Sequence, residues 1–172
     1  MRRFPWRSAL VGILFLGAVG IIYVDRRAPE ALTQRGRALV NSKDYPGAID
    51  HFNRAIEMDP AYAPAYHGRG LAYLNQGDRD RAVADFGEAI RLDSTDARAR
   101  YHRGVALSRA GDYERALTDF GEAIRLNPGY AAAYMTRSWV HAKRGEDALA
   151  RVDRQKAIEL DASLENAVGG IP

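Results

Sequence analysis

Residues 85–92 read DFGEAIRL, and residues 119–126 read DFGEAIRL again, 34 positions later. The identical octapeptides are the best-preserved part of a longer match. Residues 77–86, GDRDRAVADF, align with residues 111–120, GDYERALTDF. One period earlier, Phe52, Ala55 and Ile56 stand where Phe86, Ala89 and Ile90 stand. One period later, Ala157, Ile158 and Leu160 take the places of Ala123, Ile124 and Leu126. The period holds without insertion over four units, about 29–62, 63–96, 97–130 and 131–164. A fixed period of roughly 20–50 residues marks a stacked-repeat architecture.

The unit 63–96 shows what is being repeated. Its pattern predicts helices over 65–75 and 80–92, joined by Gln76, Gly77 and Asp78. Gly77 is placed to end the first helix in a left-handed conformation, and Asp78 to cap the second. Small residues (Gly70, Ala82, Ala89) alternate with rings (Tyr66, Tyr73, Phe86). Two helices approach closely only where one offers a small residue to the other's ring. Such a pair cannot bury both faces alone, so it stacks on its neighbours. The first unit repeats the pattern through Gly36, Leu39, Ala48, Phe52, Ala55 and Pro60. The third does so through Gly104, Leu107, Gly111, Ala116, Phe120, Ala123 and Pro128. Pro60 and Pro128 are placed to stop the second helices.

A 34-residue helix–turn–helix with these residues in this order resembles the tetratricopeptide repeat, over about residues 29–164. The resemblance implies an all-α, right-handed α-solenoid of about four repeats. It says little about function, because the matching positions are structural ones. Three positions depart from the pattern. Ser94 stands where the family has proline, and Ser138 where it has the small glycine. Arg154 takes the place of Phe52, Phe86 and Phe120. A buried arginine there would be costly. The helix expected over 147–160 therefore reads as a cap, with Arg151, Arg154 and Gln155 on a polar outer face. The residues from 165 to 172 form a tail too short and glycine-rich for a further full helix.

Residues 8–24, SALVGILFLGAVGIIYV, carry no charge. As a helix they span about 26 Å, near the lower limit for crossing a bilayer. Arg2, Arg3 and Arg7 precede them, and Trp6 and Tyr23 sit at their two ends. These features predict an uncleaved signal anchor over 1–28, of the membrane-anchored bacterial type. The basic flank points the N-terminus into the cytoplasm, making a single-pass inner-membrane protein with repeats facing the periplasm. The alternative is a signal cleaved near Ala18, Val19 and Gly20, releasing the repeats into the periplasm.

Composition removes several function classes. There is no cysteine, hence no disulfide, thiolate metal site or cysteine nucleophile. The pI of about 9.3 comes mainly from five arginines in residues 1–28. The net charge of the whole chain is +3, so the repeats themselves are close to neutral. The basic stripe of a nucleic-acid binder is missing. Asp85, Phe86 and Gly87 spell the magnesium-binding triplet of protein kinases, as do Asp119, Phe120 and Gly121. The glycine-rich loop, strand lysine and catalytic-loop aspartate that a kinase needs are not present. His67 and His102 lie near equivalent places on successive first helices, but two histidines without a carboxylate do not make a metal site. No nucleophile context surrounds the serines. The chain reads as a non-enzyme with no cofactor and no metal. Asp78, Asp80, Asp85, Glu88, Arg79, Arg81 and Arg91 read mostly as solvated helix faces with i,i+4 partners.

In the resembled family, the first helices of the repeats line a concave groove. That geometry implies groove positions at His67, Leu71 and Asn75, at Tyr101, Val105 and Arg109, and at Met135, Trp139 and Lys143. Trp, Tyr and Arg are frequent interface anchors. Trp139 could equally pack between helices. One subtype of the family holds the C-terminal carboxylate of chaperones with lysines and asparagines. Here Thr33, Arg37 and His67 stand at the comparable places, so that clamp is not matched. The expected role is a scaffold or adaptor holding a peptide or helix of a protein partner, with the membrane contacted through 8–24. Self-assembly and service as an accessory subunit of a membrane or secretion complex are the alternatives.

Overall fold

The computed structural model describes residues 27–166. Eight α-helices run through them: α1 (Arg27–Asn41), α2 (Tyr45–Met58), α3 (Ala63–Gln76), α4 (Arg79–Leu92), α5 (Ala97–Ala110), α6 (Tyr113–Leu126), α7 (Ala131–Lys143) and α8 (Asp147–Leu160). A short 3-10 helix, Ala162–Asn166, follows. Odd-numbered helices are the first of each pair and even-numbered helices the second. First helices of successive pairs touch: α1 meets α3, α3 meets α5, and α5 meets α7. Among the described residues no second helix touches the next second helix. The stack is therefore tighter on the side of α1, α3, α5 and α7, which makes that side concave. This is an all-α solenoid whose helix pairs rest on their neighbours.

The turns explain the helix boundaries. Gly77, Gly111 and Gly145 follow α3, α5 and α7 with φ of 92°, 86° and 76°. Left-handed backbone carries no Cβ penalty in glycine. Asp44, Asp78 and Asp112 then open α2, α4 and α6, and each accepts a hydrogen bond from a backbone N–H three residues on. That bond satisfies a donor otherwise orphaned at a helix start.

The core depends on one repeated contact. Phe52, Phe86 and Phe120 are fully buried. A Cβ added at Gly36 would lie 2.7 Å from the Phe52 ring. At Gly70 it would lie 2.8 Å from Phe86, and at Gly104 2.7 Å from Phe120. Each ring thus occupies space that only glycine leaves open on the partner helix. Gly68 of α3 closes the far side of Phe52 in the same way. Alanines at 0 % exposure (Ala48, Ala82, Ala116) let the helices of a pair approach.

A ladder of ion pairs runs beside the rings. Arg69 grips Asp85, Arg103 grips Asp119, and Arg137 grips Asp153. In each, two guanidinium nitrogens donate to both carboxylate oxygens at 2.7–2.8 Å. Bidentate pairs of this kind are strong and geometrically specific. The next guanidinium also needs room on the preceding second helix. Arg103 Nη1 lies 3.8 Å from where a Gly87 Cβ would be, and Arg137 stands likewise over Gly121. At the corresponding position Asn53 accepts a 2.6 Å hydrogen bond from Arg69 instead. The triplets Asp85–Phe86–Gly87 and Asp119–Phe120–Gly121 are thus an ion-pair acceptor, a core ring and a seat for the next arginine.

Several expectations need correction. Asp85 is buried and paired with Arg69, and it is not part of a solvated face. The exposed pairs Asp78–Arg81 and Glu88–Arg91 are i,i+3, not i,i+4. Sequence patterns show which positions lie on a helix surface but not which of them the next pair covers. Arg154 is exposed at the end of the stack, so its charge stays in water. Leu149 and Val152 are also exposed on α8, which makes that end less uniformly polar than expected.

The placement in the inner membrane is also corrected. No helix among the described residues is long and apolar enough to cross a membrane. The segment 8–24 that carried the expectation lies outside the described residues, as do any transmembrane or signal helix over 1–26 and the tail 167–172.

Two outcomes test this account of the packing. Lys43 takes the place held by Gly77, Gly111 and Gly145, with φ of 65°. Lys43→Gly should raise stability by about 1 kcal/mol by removing the left-handed penalty, seen as a higher urea midpoint. Asp119→Asn should cost about 1–3 kcal/mol, because Arg103 keeps its charge and loses its partner while still partly in water. Glu122→Gln, in the exposed pair with Arg125, should leave the midpoint almost unchanged.

Candidate functional site

The concave side holds a cleft of roughly 370 Å³ across the first three first helices. Arg37, Val40 and Asn41 come from α1, His67, Gly68 and Leu71 from α3, and Arg98 and His102 from α5, with Phe52 of α2 at its floor. Gly68 keeps the floor deep, since a side chain there would strike Phe52. The floor is apolar and the rim carries two guanidinium groups. Arg98 is 67 % exposed at its side chain and bonds Asp96, the residue that caps α5. Among the described residues Arg37 forms no ion pair within bonding distance.

One wall of the cleft is a pair of histidines. His67 Nε2 and His102 Nδ1 are 2.9 Å apart. His102 stacks on Phe86 with ring centroids 5.8 Å apart. His67 tilts against the same ring at 5.7 Å. Burial lowers the His67 imidazole to about 4, and the neighbouring His102 pushes in the same direction. Burial likewise lowers His102 to about 4. Both rings are neutral at physiological pH. No group of three or more metal-binding side chains gathers among the described residues.

The aromatic surface continues along the later first helices. Tyr101 packs on Tyr130 at 4.9 Å and on His102 at 5.1 Å, and its hydroxyl lies 3.4 Å from the Thr136 Oγ1. Burial raises the Tyr130 phenol to about 12, with Tyr101 adding to the shift. Trp139 meets Tyr113 edge-on at 6.3 Å, and Lys143 Nζ lies 5.3 Å from its ring centroid. That is a cation–π contact at a partly exposed ring.

The nine residues expected on the groove fall into three groups. Asn75, Arg109 and Lys143 are exposed. Leu71, Tyr101, Met135 and Trp139 are partly buried, and Leu71, Tyr101 and Trp139 pack against the core. His67 and Val105 are buried, at 7 % and 8 % exposure. His67 still presents an edge to the cleft, whereas Val105 belongs to the core. The structure brings only His67 and Leu71 of the nine into the cleft itself. Arg37, Val40, Asn41, Arg98 and His102 were missed. The nine positions follow i,i+4 stripes on α3, α5 and α7, and none lies on α1. Arg98 and His102 lie on a different stripe of α5 from Tyr101, Val105 and Arg109.

Family models decide the kinship of the chain. A TPR repeat model matches residues 36–77, and a tetratricopeptide repeat model matches 67–117 and 106–163. The chain belongs to the tetratricopeptide repeat family. No curated protein matches it in sequence. Solved structures share the fold. MamA from Desulfovibrio magneticus RS-1 superposes with a TM-score of 0.72 at 23 % identity, over 82 % of this chain and 80 % of that one. Pseudomonas aeruginosa pilF gives 0.75 at 22 % identity, over 79 % and 62 %. The first TPR of Spaghetti (RPAP3), bound to the HSP90 peptide SRMEEVD, gives 0.69 at 22 % identity, over 72 % and 98 %. At these identities the likeness is one of fold.

The tetratricopeptide packing separates residues that can be probed from residues that cannot. Val105→Ala should cost about 2 kcal/mol by opening space in the core. Asn75→Ala, Arg109→Ala and Lys143→Ala should leave the urea midpoint nearly unchanged.

Proposed function

We propose that this protein is a non-catalytic interaction scaffold whose concave face holds a segment of a protein partner. The observation that carries the reading is the cleft: an apolar floor of Val40, Phe52 and Leu71 beneath the guanidinium groups of Arg37 and Arg98. Tetratricopeptide repeats are protein-interaction scaffolds, and one structural neighbour holds a peptide. An apolar floor with a cationic rim suits a segment that alternates apolar side chains with carboxylates. Arg109 and Lys143 extend the cationic character along the same side, with Tyr101, Met135 and Trp139 between them as apolar anchors. The repeat region is taken as about 29–164, with units of 34 residues. Thr33, Arg37 and His67 stand where a chaperone-tail clamp would place lysines and asparagines, so the reading does not extend to that ligand.

A fluorescein-labelled peptide alternating Glu and Leu, and its Lys and Leu counterpart, test the proposal by anisotropy. The acidic peptide should bind and the basic one should not. Arg37→Ala with Arg98→Ala should weaken binding by at least about tenfold, since a charge-assisted hydrogen bond is worth about 1.5–3 kcal/mol. Equal binding of both peptides, or no loss in the double variant, would overturn the assignment of the cleft.

A further inference from the structure

Successive first helices meet through a fixed pair of positions, residue i on one and residue i+35 on the next. At the α5–α7 junction the pair is Tyr101 and Thr136, with oxygens 3.4 Å apart. At the α3–α5 junction it is His67 and His102, with nitrogens 2.9 Å apart. At the α1–α3 junction the same positions hold Thr33 and Gly68. Of the three junctions, only the middle one is built from groups that titrate near neutrality.

The chemistry of that pair is constrained. A hydrogen bond between two imidazoles needs an N–H on one nitrogen and a lone pair on the other. One added proton leaves such a bond intact. A second puts N–H against N–H. Burial opposes added charge on both rings, although a hydrogen bond to the Arg98 backbone favours a proton on His102. Arg37 of α1 and Arg98 of α5 are both positive. Asp96, at the start of α5, is the one carboxylate facing the pair, and it is already engaged by the Arg98 backbone N–H at 2.8 Å and by the Arg98 side chain. From α4 comes Phe86, which seals the inner side with an uncharged ring. From α2 comes Phe52, also uncharged.

We propose that His67 and His102 form an acid-sensitive latch between the second and third helix pairs, closed while the rings are neutral and released as they take up protons. The direction follows from linkage. Each ring has an ordinary value of 6.5 and is lowered to about 4 in the closed junction. The open state therefore binds more protons between those values. Stability of the junction is fully present above about pH 6.5 and is lost as pH falls toward about 4. Each ring lowers the closed-to-open ratio by up to about tenfold per pH unit in that window. Both rings also wall the cleft, so release alters its shape and makes it more cationic. The latch rests on the junction geometry and does not depend on what the cleft holds.

The test uses the full chain. His67→Tyr with His102→Thr installs the neutral pair already used one junction later. Urea midpoints of this variant and the natural chain are compared from about pH 7.5 to about pH 4.5. His51 and His141 are present in both proteins, so they do not contribute to the difference. The natural chain should lose stability relative to the variant, with a ratio of folding constants falling about 10- to 100-fold per pH unit below about 6.5. Should the variant prove unfolded by circular dichroism at neutral pH, His102→Gly replaces it, mirroring Gly68 beneath Phe52. NMR titration of the imidazole protons needs no variant. Both rings should titrate well below the ordinary histidine range. Parallel pH profiles, or two rings titrating near 6.5, would overturn the latch.

Discussion

Phe52 fills the space between Gly36 of α1 and Gly68 of α3, and that contact determines how near three helices come to one another. The ring cannot shrink and the glycines cannot grow, so the separation is set by van der Waals contact rather than by a balance of weaker forces. Phe86 on Gly70 and Phe120 on Gly104 transmit the same separation down the stack. The buried alanines, the left-handed turns and the aspartate caps all serve helices already held at that distance. The concavity follows as well. First helices touch each other across the junctions, while second helices are spread apart, so the side chains on the inner face converge on a cleft.

The arginine–aspartate ladder adds direction to this spacing. A phenyl ring in a glycine gap resists compression but tolerates rotation about the contact. A bidentate ion pair does not, because both oxygens and both nitrogens must stay in line. Each arginine holds the aspartate of its own pair and rests on the second helix before it. One side chain therefore sets both the internal angle of a pair and its offset from the preceding pair. The cost of dehydrating these charges is limited, since each guanidinium keeps 20–26 % of its side chain in water.

Much of this architecture was legible in the sequence, because its determinants are local and repeated. Glycines at 34-residue intervals announced the turns, and the phenylalanines announced the core. The ladder was not legible, although its residues repeat just as strictly. Asp85 looks like any helical aspartate until the partner sixteen positions earlier is folded onto it. The cleft was only partly legible for a related reason. A helix has several stripes, and the stripe through Tyr101 and Arg109 differs from the one through Arg98 and His102. Which stripe faces the hollow depends on the rotation between pairs, a property of the assembled stack. The histidine pair illustrates the point: the two residues stand close to equivalent places in the repeat, but their contact depends on the one-residue offset between neighbouring first helices.

The strict reuse of contacts has a consequence for how such a chain can change length. Suppose residues 79–112 were excised, joining Asp78 to Tyr113. Asp78 would cap α6 as Asp112 does now, Phe120 would meet Gly70, and Asp119 would meet Arg69. The fore and aft faces of the middle pairs are interchangeable, so a loss or gain in steps of 34 residues preserves every packing rule. What such a step changes is the length of the inner face and the identity of the junction at its centre, because the excised stretch includes His102. Loss or gain of one such unit would thus act as a ruler for the binding surface, lengthening or shortening it while leaving the fold intact.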